Sequence, residues 1–236
     1  MKNWFLIGLT AFSIPLDAQT VENRTVRYYE VGKTSDAPLF TQRITVETSG
    51  AGDRSWDSEI KDSAGAVIIK ETAHLKANAV VSQTVSNSQS HELCELEVGA
   101  DNVVYRTFRY DNEKRGELIE EKTRAKEDNF VTGPAVEFYL GQRWDQLTSG
   151  STIKVEFGIF EIMRSIAFEL KKEGETDQLL KVEMRPANFF IRLLVDPIHL
   201  TFDKSTKRIV HYIGRTPLKR DRDGKLKPWD AEIIYE

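Results

Sequence analysis

Cysteine is nearly absent from this chain: Cys94 is alone among 236 residues. It cannot close an intramolecular disulfide even in an oxidising compartment, which excludes a small disulfide-stapled scaffold. Four histidines leave little material for a zinc site of the usual kind. Positive charge is not in excess. The formal net charge of -4 argues against a nucleic-acid role spread over the chain. No G-x-S-x-G, H-E-x-x-H, phosphate-binding loop or C-x-x-C is present. That weakens an enzymatic reading without excluding it, because catalytic groups often meet only in three dimensions. Beyond the first residues no apolar run is long enough to span a bilayer, so no transmembrane segment is expected in the mature chain. No internal repeat or low-complexity linker divides it.

What is present is ordinary in amount. Hydrophobic residues make up 40% and charged residues 30%, enough for one sizeable core. Residues 1–18 form a secretory signal pattern. Lys2 is a positive start, Trp4 to Ile14 is a short apolar run broken by Pro15, and Leu16-Asp17-Ala18 is an acceptable cleavage site. Export to the periplasm or beyond follows as an expectation, with one domain over 19–236.

The centre of the chain is Ser151 to Leu170. Ile153, Val155, Phe157 and Ile159 alternate with Lys154, Glu156 and Gly158, the period of a half-buried strand. After Gly158 the apolar phase flips to Phe160, Ile162, Ile166, Phe168 and Leu170. A flip at glycine marks a bulge or a tight turn between two strands. Arg164 then falls on the apolar phase, where an unpaired charge is costly.

On either side the chain reads as strand after strand. The expected strands are Thr25 to Val31, Leu39 to Thr48, Arg54 to Lys61, Ala66 to His74, Asn78 to Ser86, Glu92 to Val98, Asn102 to Tyr110 and Glu117 to Arg124. One helix is expected. Pro134 suits a first helical position, and Val136, Leu140, Trp144 and Leu147 form one apolar stripe. Gln178 to Arg185, Asn188 to Val195, Ile198 to Phe202, Arg208 to Ile213 and Ala231 to Tyr235 complete the strands. Arg215 to Pro228 reads as a long basic turn.

Four groupings could carry function. His199 and His211 would face each other if Phe202 paired with Arg208, but a metal needs a third ligand and none is evident. They otherwise read as exposed histidines on a wet sheet face. Arg164 either snorkels or pairs with a carboxylate; the functional alternative is an anchor for the anionic group of a lipid. The basic segment Arg215, Lys219, Arg220, Arg222, Lys225 and Lys227 is either a solvated hairpin or a contact for membrane phosphates. The aromatics Trp56, Trp144, Phe157, Phe160, Phe168, Phe189 and Phe190 are core by default, although a curved sheet could leave them lining an acyl-chain cleft. Cys94, in phase with Leu96 and Val98, reads as a buried thiol. Glu95 and Glu97 read as solvated.

Gly133-Pro134, the helix to Leu147, the run Ile198-His199-Leu200-Thr201-Phe202-Asp203 and His211-Tyr212-Ile213-Gly214 resemble uncharacterised exported bacterial β-rich proteins. The layout is also similar to periplasmic lipoprotein-carrier half-barrels, in which a curved antiparallel sheet holds a helix and lipid. The resemblance covers residues 115 to 236 and implies a fold and a compartment, and no catalytic residue. The long basic turn departs from a carrier.

The expected fold is mainly β: a curved antiparallel sheet, as half-barrel or open barrel, with one helix packed against it. The expected function is a non-enzymatic envelope protein that binds a hydrophobic or amphiphilic ligand in its concave face. Arg164, Trp144, Phe157, Phe160 and Phe168 are the candidate ligand residues, and no cofactor is expected. The alternative is a structural or protein-interaction module of the envelope; a hydrolase using His199 or His211 is a third reading. N-terminal sequencing of the exported protein should begin at or near Gln19. Intact Met1 in that fraction would refute the leader.

Overall fold

The alternating pattern does build strands, and they join into one sheet. The computed structural model describes residues 19–236, so the expected leader lies outside the described residues. The first half of the chain supplies β1 (Thr20–Tyr29), β2 (Phe40–Thr48), β3 (Arg54–Asp62), β4 (Val67–Lys76), β5 (Ala79–Asn87), β6 (Glu92–Val98), β7 (Asn102–Asp111) and β8 (Lys114–Ala125). After a short β9 (Phe130–Val131) come two helices, α1 (Gly133–Gln142) and α2 (Trp144–Thr148). The return path is β10 (Ile153–Ile159), β11 (Arg164–Glu175), β12 (Leu179–Pro186), α3 (Phe189–Arg192), β13 (Ile198–Asp203), β14 (Ile209–Arg222) and β15 (Lys225–Tyr235).

The strand order is β8-β7-β6-β5-β4-β3-β2-β1-β15-β14-β13-β12-β11-β10-β9 in a single 15-stranded sheet. Two meanders therefore meet in the middle, where β1 pairs antiparallel with β15 and Val26 stands opposite Tyr235. The sheet curls without closing. Its free edges, β8 and β9–β10, approach through side chains: Arg124 Nε donates to the Met163 carbonyl at 3.1 Å. The β8 edge is exposed and dense in charge, which discourages pairing with another chain.

Three apolar clusters fill the curl. Val136 and Leu140 of α1 and Leu147 of α2 pack on Ile153, Leu170, Leu180, Val182 and Phe202. Val26, Ile44, Ile60 and Ile69 form the second cluster with Leu218 and Trp229. Ala73, Leu75, Leu96 and Tyr105 form the third with Phe130, Ala135 and Met163. The expected helical stripe is therefore real, but the helix is not continuous. Arg143, at φ -108° and ψ 23°, breaks it into α1 and α2.

The central stretch reverses later than its pattern implied. Gly158 stays in β10, closely covered from both sides: a Cβ there would sit 2.7 Å from Phe130 Cζ of the paired β9 and 3.3 Å from the Tyr105 hydroxyl of β7. The turn comes at Phe160–Ile162, and Met163 takes a positive φ of 49°. Arg164, expected on an apolar face, is exposed at the first residue of β11. Asn188 to Val195, expected as a strand, contains α3 instead. The expected basic turn is the paired tip of β14 and β15. A bulge between Arg215 and Lys219 bends this hairpin over the sheet, where Lys219 N donates to Gln89 Oε1 at 2.9 Å and Gln89 Nε2 donates to the Lys219 carbonyl at 2.8 Å.

One carboxylate ties α1 to the sheet. Glu137 accepts from Arg24 Nη1 at 3.0 Å, Arg208 Nη1 at 2.5 Å and the Ile209 amide at 2.7 Å. Arg24 also donates to the Ile209 carbonyl, and Arg208 pairs with Glu22. Removing one partner of a buried pair strands the other charge. Glu137→Leu should therefore lose about 3–5 kcal/mol of stability in urea unfolding, and a loss under about 1 kcal/mol, the range of an exposed pair, would show that the network is solvated.

Candidate functional site

The inner wall of β2 to β5 carries polar groups where the alternation calls for apolar ones. Ser58 stands opposite Glu71 across β3 and β4, and Gln42 is inward on β2. The groups form a chain. The Tyr28 hydroxyl donates to Gln42 Oε1 at 2.6 Å, and Gln42 Nε2 donates to Ser58 Oγ at 3.0 Å. Ser58 Oγ reaches Glu71 Oε2 at 3.5 Å, and Gln83 Nε2 donates to Glu71 Oε1 at 2.6 Å. Burial raises the Glu71 carboxyl above its ordinary value, and the Gln83 and Ser58 hydrogen bonds oppose that rise in part. Burial likewise raises Tyr28 and Tyr235, with the Glu71 charge adding to both. Sequence reasoning missed this chain. Its signal was there: Glu71 sits in phase with Ile69, Ala73 and Leu75, and Gln42 with Ile44 and Val46.

A second feature lies outside, where β12 passes to β13. Phe189 is 64% exposed, Phe190 74%, Leu193 68% and Leu194 85%. The loop is held in this shape. Asn188 Oδ1 caps α3 by accepting from the Phe190 and Ile191 amides at 2.8 and 3.3 Å. Arg192 Nε donates to the Pro186 carbonyl at 2.6 Å, while its Nη2 reaches Glu169 Oε2 and the Ala187 carbonyl, each at 3.2 Å. The two phenyl rings meet edge to face at 5.8 Å. Phe189 and Phe190 were expected as core; the helical turn that Asn188 caps turns them out.

Of the sequence candidates for a concave ligand site, Trp144, Phe157 and Phe168 share the cluster under the helices, Phe160 packs on another and Arg164 is exposed. Phe157 packs edge-on against Phe168 at 6.1 Å, Trp144 against Phe202 at 5.9 Å and Phe160 against Tyr105 at 6.4 Å. Each is taken up in core packing, and Arg164 stands apart from all of them in solvent. His199 and His211 are not opposite. His199 faces Ile213 and His211 faces Thr201, because a bulge after Thr201 shifts the register. Each histidine has its own carboxylate, Glu173 at 3.1 Å and Glu232 at 2.8 Å. No group of three potential metal ligands occurs among the described residues. Cys94 is half-buried beside the Thr107 hydroxyl, and burial pushes its thiol up to about 11.

No family model and no curated protein matches the chain. Among solved structures it is similar to a β-barrel-like protein of the domain of unknown function DUF1849 from Brucella abortus, with 8% identity over 94% of this chain and 95% of that one and a TM-score of 0.35. It is also similar to a porin-like protein from Bacteroides uniformis, with 9% identity, 91% and 96% coverage and a TM-score of 0.23. A DUF1329 family protein from Desulfovibrio piger gives 9% identity, 94% and 85% coverage and a TM-score of 0.20. None of the three bears a carrier's name, so the expected likeness to lipoprotein carriers gains no support from them.

The raised Glu71 carboxyl has a consequence for stability. A carboxyl whose folded value exceeds its unfolded value, here 4.5, contributes stability that is fully present below 4.5 and is lost as pH rises through the folded value. Glutamine keeps the shape without titrating. The stability of Glu71→Gln relative to the unchanged protein should therefore grow as pH rises above 4.5. Glu175, held at about 2 by Lys172 and Lys204, and Asp203, held at about 2 by Ser205 and Thr206, titrate below that window. Urea unfolding from about pH 4 to about pH 8 measures it; a flat or shrinking difference would show that the carboxyl is not raised.

Proposed function

We propose that the protein is a non-enzymatic cell-envelope protein that engages a lipid surface through the β12–β13 loop. One observation carries the reading: four neighbouring large apolar side chains are held outward on a locked turn. Water contact at so many apolar atoms is unfavourable, and a patch of this kind marks a membrane or partner surface. A short convex projection suits insertion between headgroups, where an apolar side chain leaves water without needing a shaped pocket. A cation flanks it. Arg164 is exposed at the start of β11, the strand that pairs with β12. Basic groups at a bilayer surface add attraction to anionic lipids. The histidines lie on the outer side of the sheet. His74 and His91 are exposed, and His199 and His211 alternate out of the face that holds Tyr212 and Leu200.

Sedimentation with phosphatidylcholine vesicles, with and without phosphatidylglycerol, tests the proposal. The unchanged protein should bind, more strongly to the anionic vesicles. Phe190→Ser combined with Leu194→Ser should lower partitioning by about 10-fold or more, since burying one such side chain is worth about 1.5–3 kcal/mol. Absence of binding to both vesicle types, or unchanged binding by the variant, would overturn it and leave the loop as a protein contact.

A further inference from the structure

The outer face of the sheet carries a cleft of about 210 Å³ where the ends of β4, β5 and β7 come together. Lys70 of β4 stands opposite Ser86 of β5, and both line it. Their chain neighbours Ile69 and Val85 pack inward on the second cluster, so Lys70 and Ser86 point outward. Val67 and Ile68 form an apolar wall, and Tyr110 and Glu113 line the cleft from the β7–β8 hairpin. The turn between β5 and β6 is fixed beside them. The Tyr110 amide donates to the His91 carbonyl at 2.8 Å, and the Ser88 amide to the Ile68 carbonyl at 2.9 Å.

The basic side chains of the cleft already have partners. Lys70 Nζ lies 3.4 Å from Glu59 Oε1, and His91 Nδ1 lies 3.3 Å from Asp111 Oδ1. Ser86 is 8% exposed, and its hydroxyl has no hydrogen-bond partner among the described residues. Glu113 is placed there against its backbone preference. Asn112 and Glu113 are the two turn residues of the β7–β8 hairpin, at φ 51° and 59°. Two positive φ values make a mirror-image turn whose second residue favours glycine. Glutamate at that position carries backbone strain. What it adds over glycine is a carboxylate in the cleft.

We propose that this cleft binds one neutral saccharide unit, its C–H face against Tyr110 and the Val67–Ile68 wall and its hydroxyls on Ser86, Lys70 and Glu113. A sugar ring matches the lining, because it has an apolar face and a rim of hydroxyls that both donate and accept. Lys70 has three N–H donors and Glu59 does not use them all. The Glu113 carboxylate accepts, and hydrogen bonds to charged groups are the stronger kind. An anion would meet Glu113 and compete with Glu59 for Lys70. A cation would meet Lys70. A purely apolar molecule would cover Ser86 and both charges without a hydrogen bond. The site is independent of the lipid-facing loop.

Amide chemical-shift titration of the mature chain with methyl β-D-glucopyranoside, methyl β-D-galactopyranoside and N-acetyl-D-glucosamine tests the proposal, with glycerol and glycine as controls. At least one sugar should give saturable shifts at the amides that line the cleft, and the controls should give none. Glu113→Gly relieves the turn, so its melting temperature should not fall. It should nevertheless weaken sugar binding by about 5-fold or more, because a hydrogen bond to a charged group is lost. If its melting temperature does fall, Tyr110→Ala carries the test and should weaken binding to a similar degree through loss of the ring. No saturable shift with any of the three sugars, equal shifts with glycerol or glycine, or full affinity in the folded variant would overturn the proposal.

Discussion

The ties of Glu137 hold together parts that the chain's order keeps far apart. The carboxylate comes from α1. Its partners are Arg24 on β1 and Arg208 and Ile209 at the start of β14, so it joins the helix to both meanders near the seam where they meet. The helix could not seat Val136 and Leu140 on the return strands without passing this charge into the curl. Two guanidiniums and a backbone amide are what make that tolerable, since a buried charge must be paired and hydrogen-bonded. Phe138, next in sequence, lies under the guanidiniums of Arg54 and Arg208 at 4.4 and 5.1 Å, which extends the same contact to β3.

A sheet that curls without closing has two needs: a filling for its interior and a treatment for its edges. The helices and the bent β14–β15 hairpin supply the filling. Leu218 and Trp229 reach into the second cluster because the bulge after Arg215 turns the hairpin inward. Where the free edges approach, Gly158 lets the Tyr105 ring of β7 lie against β10, and Arg124 reaches the Met163 carbonyl, so the edges meet through side chains rather than a ladder. Between these fillings the β2–β5 wall stays polar, its side chains hydrogen-bonded to one another. The interior is thus divided: aliphatic beside the helices, and carboxyl, amide and aromatic along Glu71. An acyl chain would have to displace paired aromatics from the first region.

The loop after β12 shows how local chemistry decides what a surface offers. Asn188 favours a helical turn at a site where the apolar run alone reads as a strand. Once the turn forms, Phe189, Phe190, Leu193 and Leu194 have no sheet face to enter. Arg192 uses its guanidinium on backbone carbonyls and Glu169, so the loop cannot easily fold back over its own apolar side chains. The same residues in a strand would have been core, which is why the exposed patch was not legible from composition.

Alternation in the chain by itself determined the fold class, most strand positions and the apolar stripe of the helices, because period two and the Pro134 start signal are local properties. Tertiary structure decided the rest. The register of His199 against His211 depends on a bulge after Thr201, and the place of Gly158 depends on an edge far away in sequence. The exposure of Arg164 follows from where the turn falls, at Met163 rather than at the glycine. Glu71 and Gln42 were legible as inward polar residues, but their link through Ser58 to Tyr28 and Gln83 needed the pairing of five neighbouring strands. A sequence pattern records which face a side chain takes; only the paired strands bring together groups distant in the chain, and the chemistry of this interior arises from such meetings.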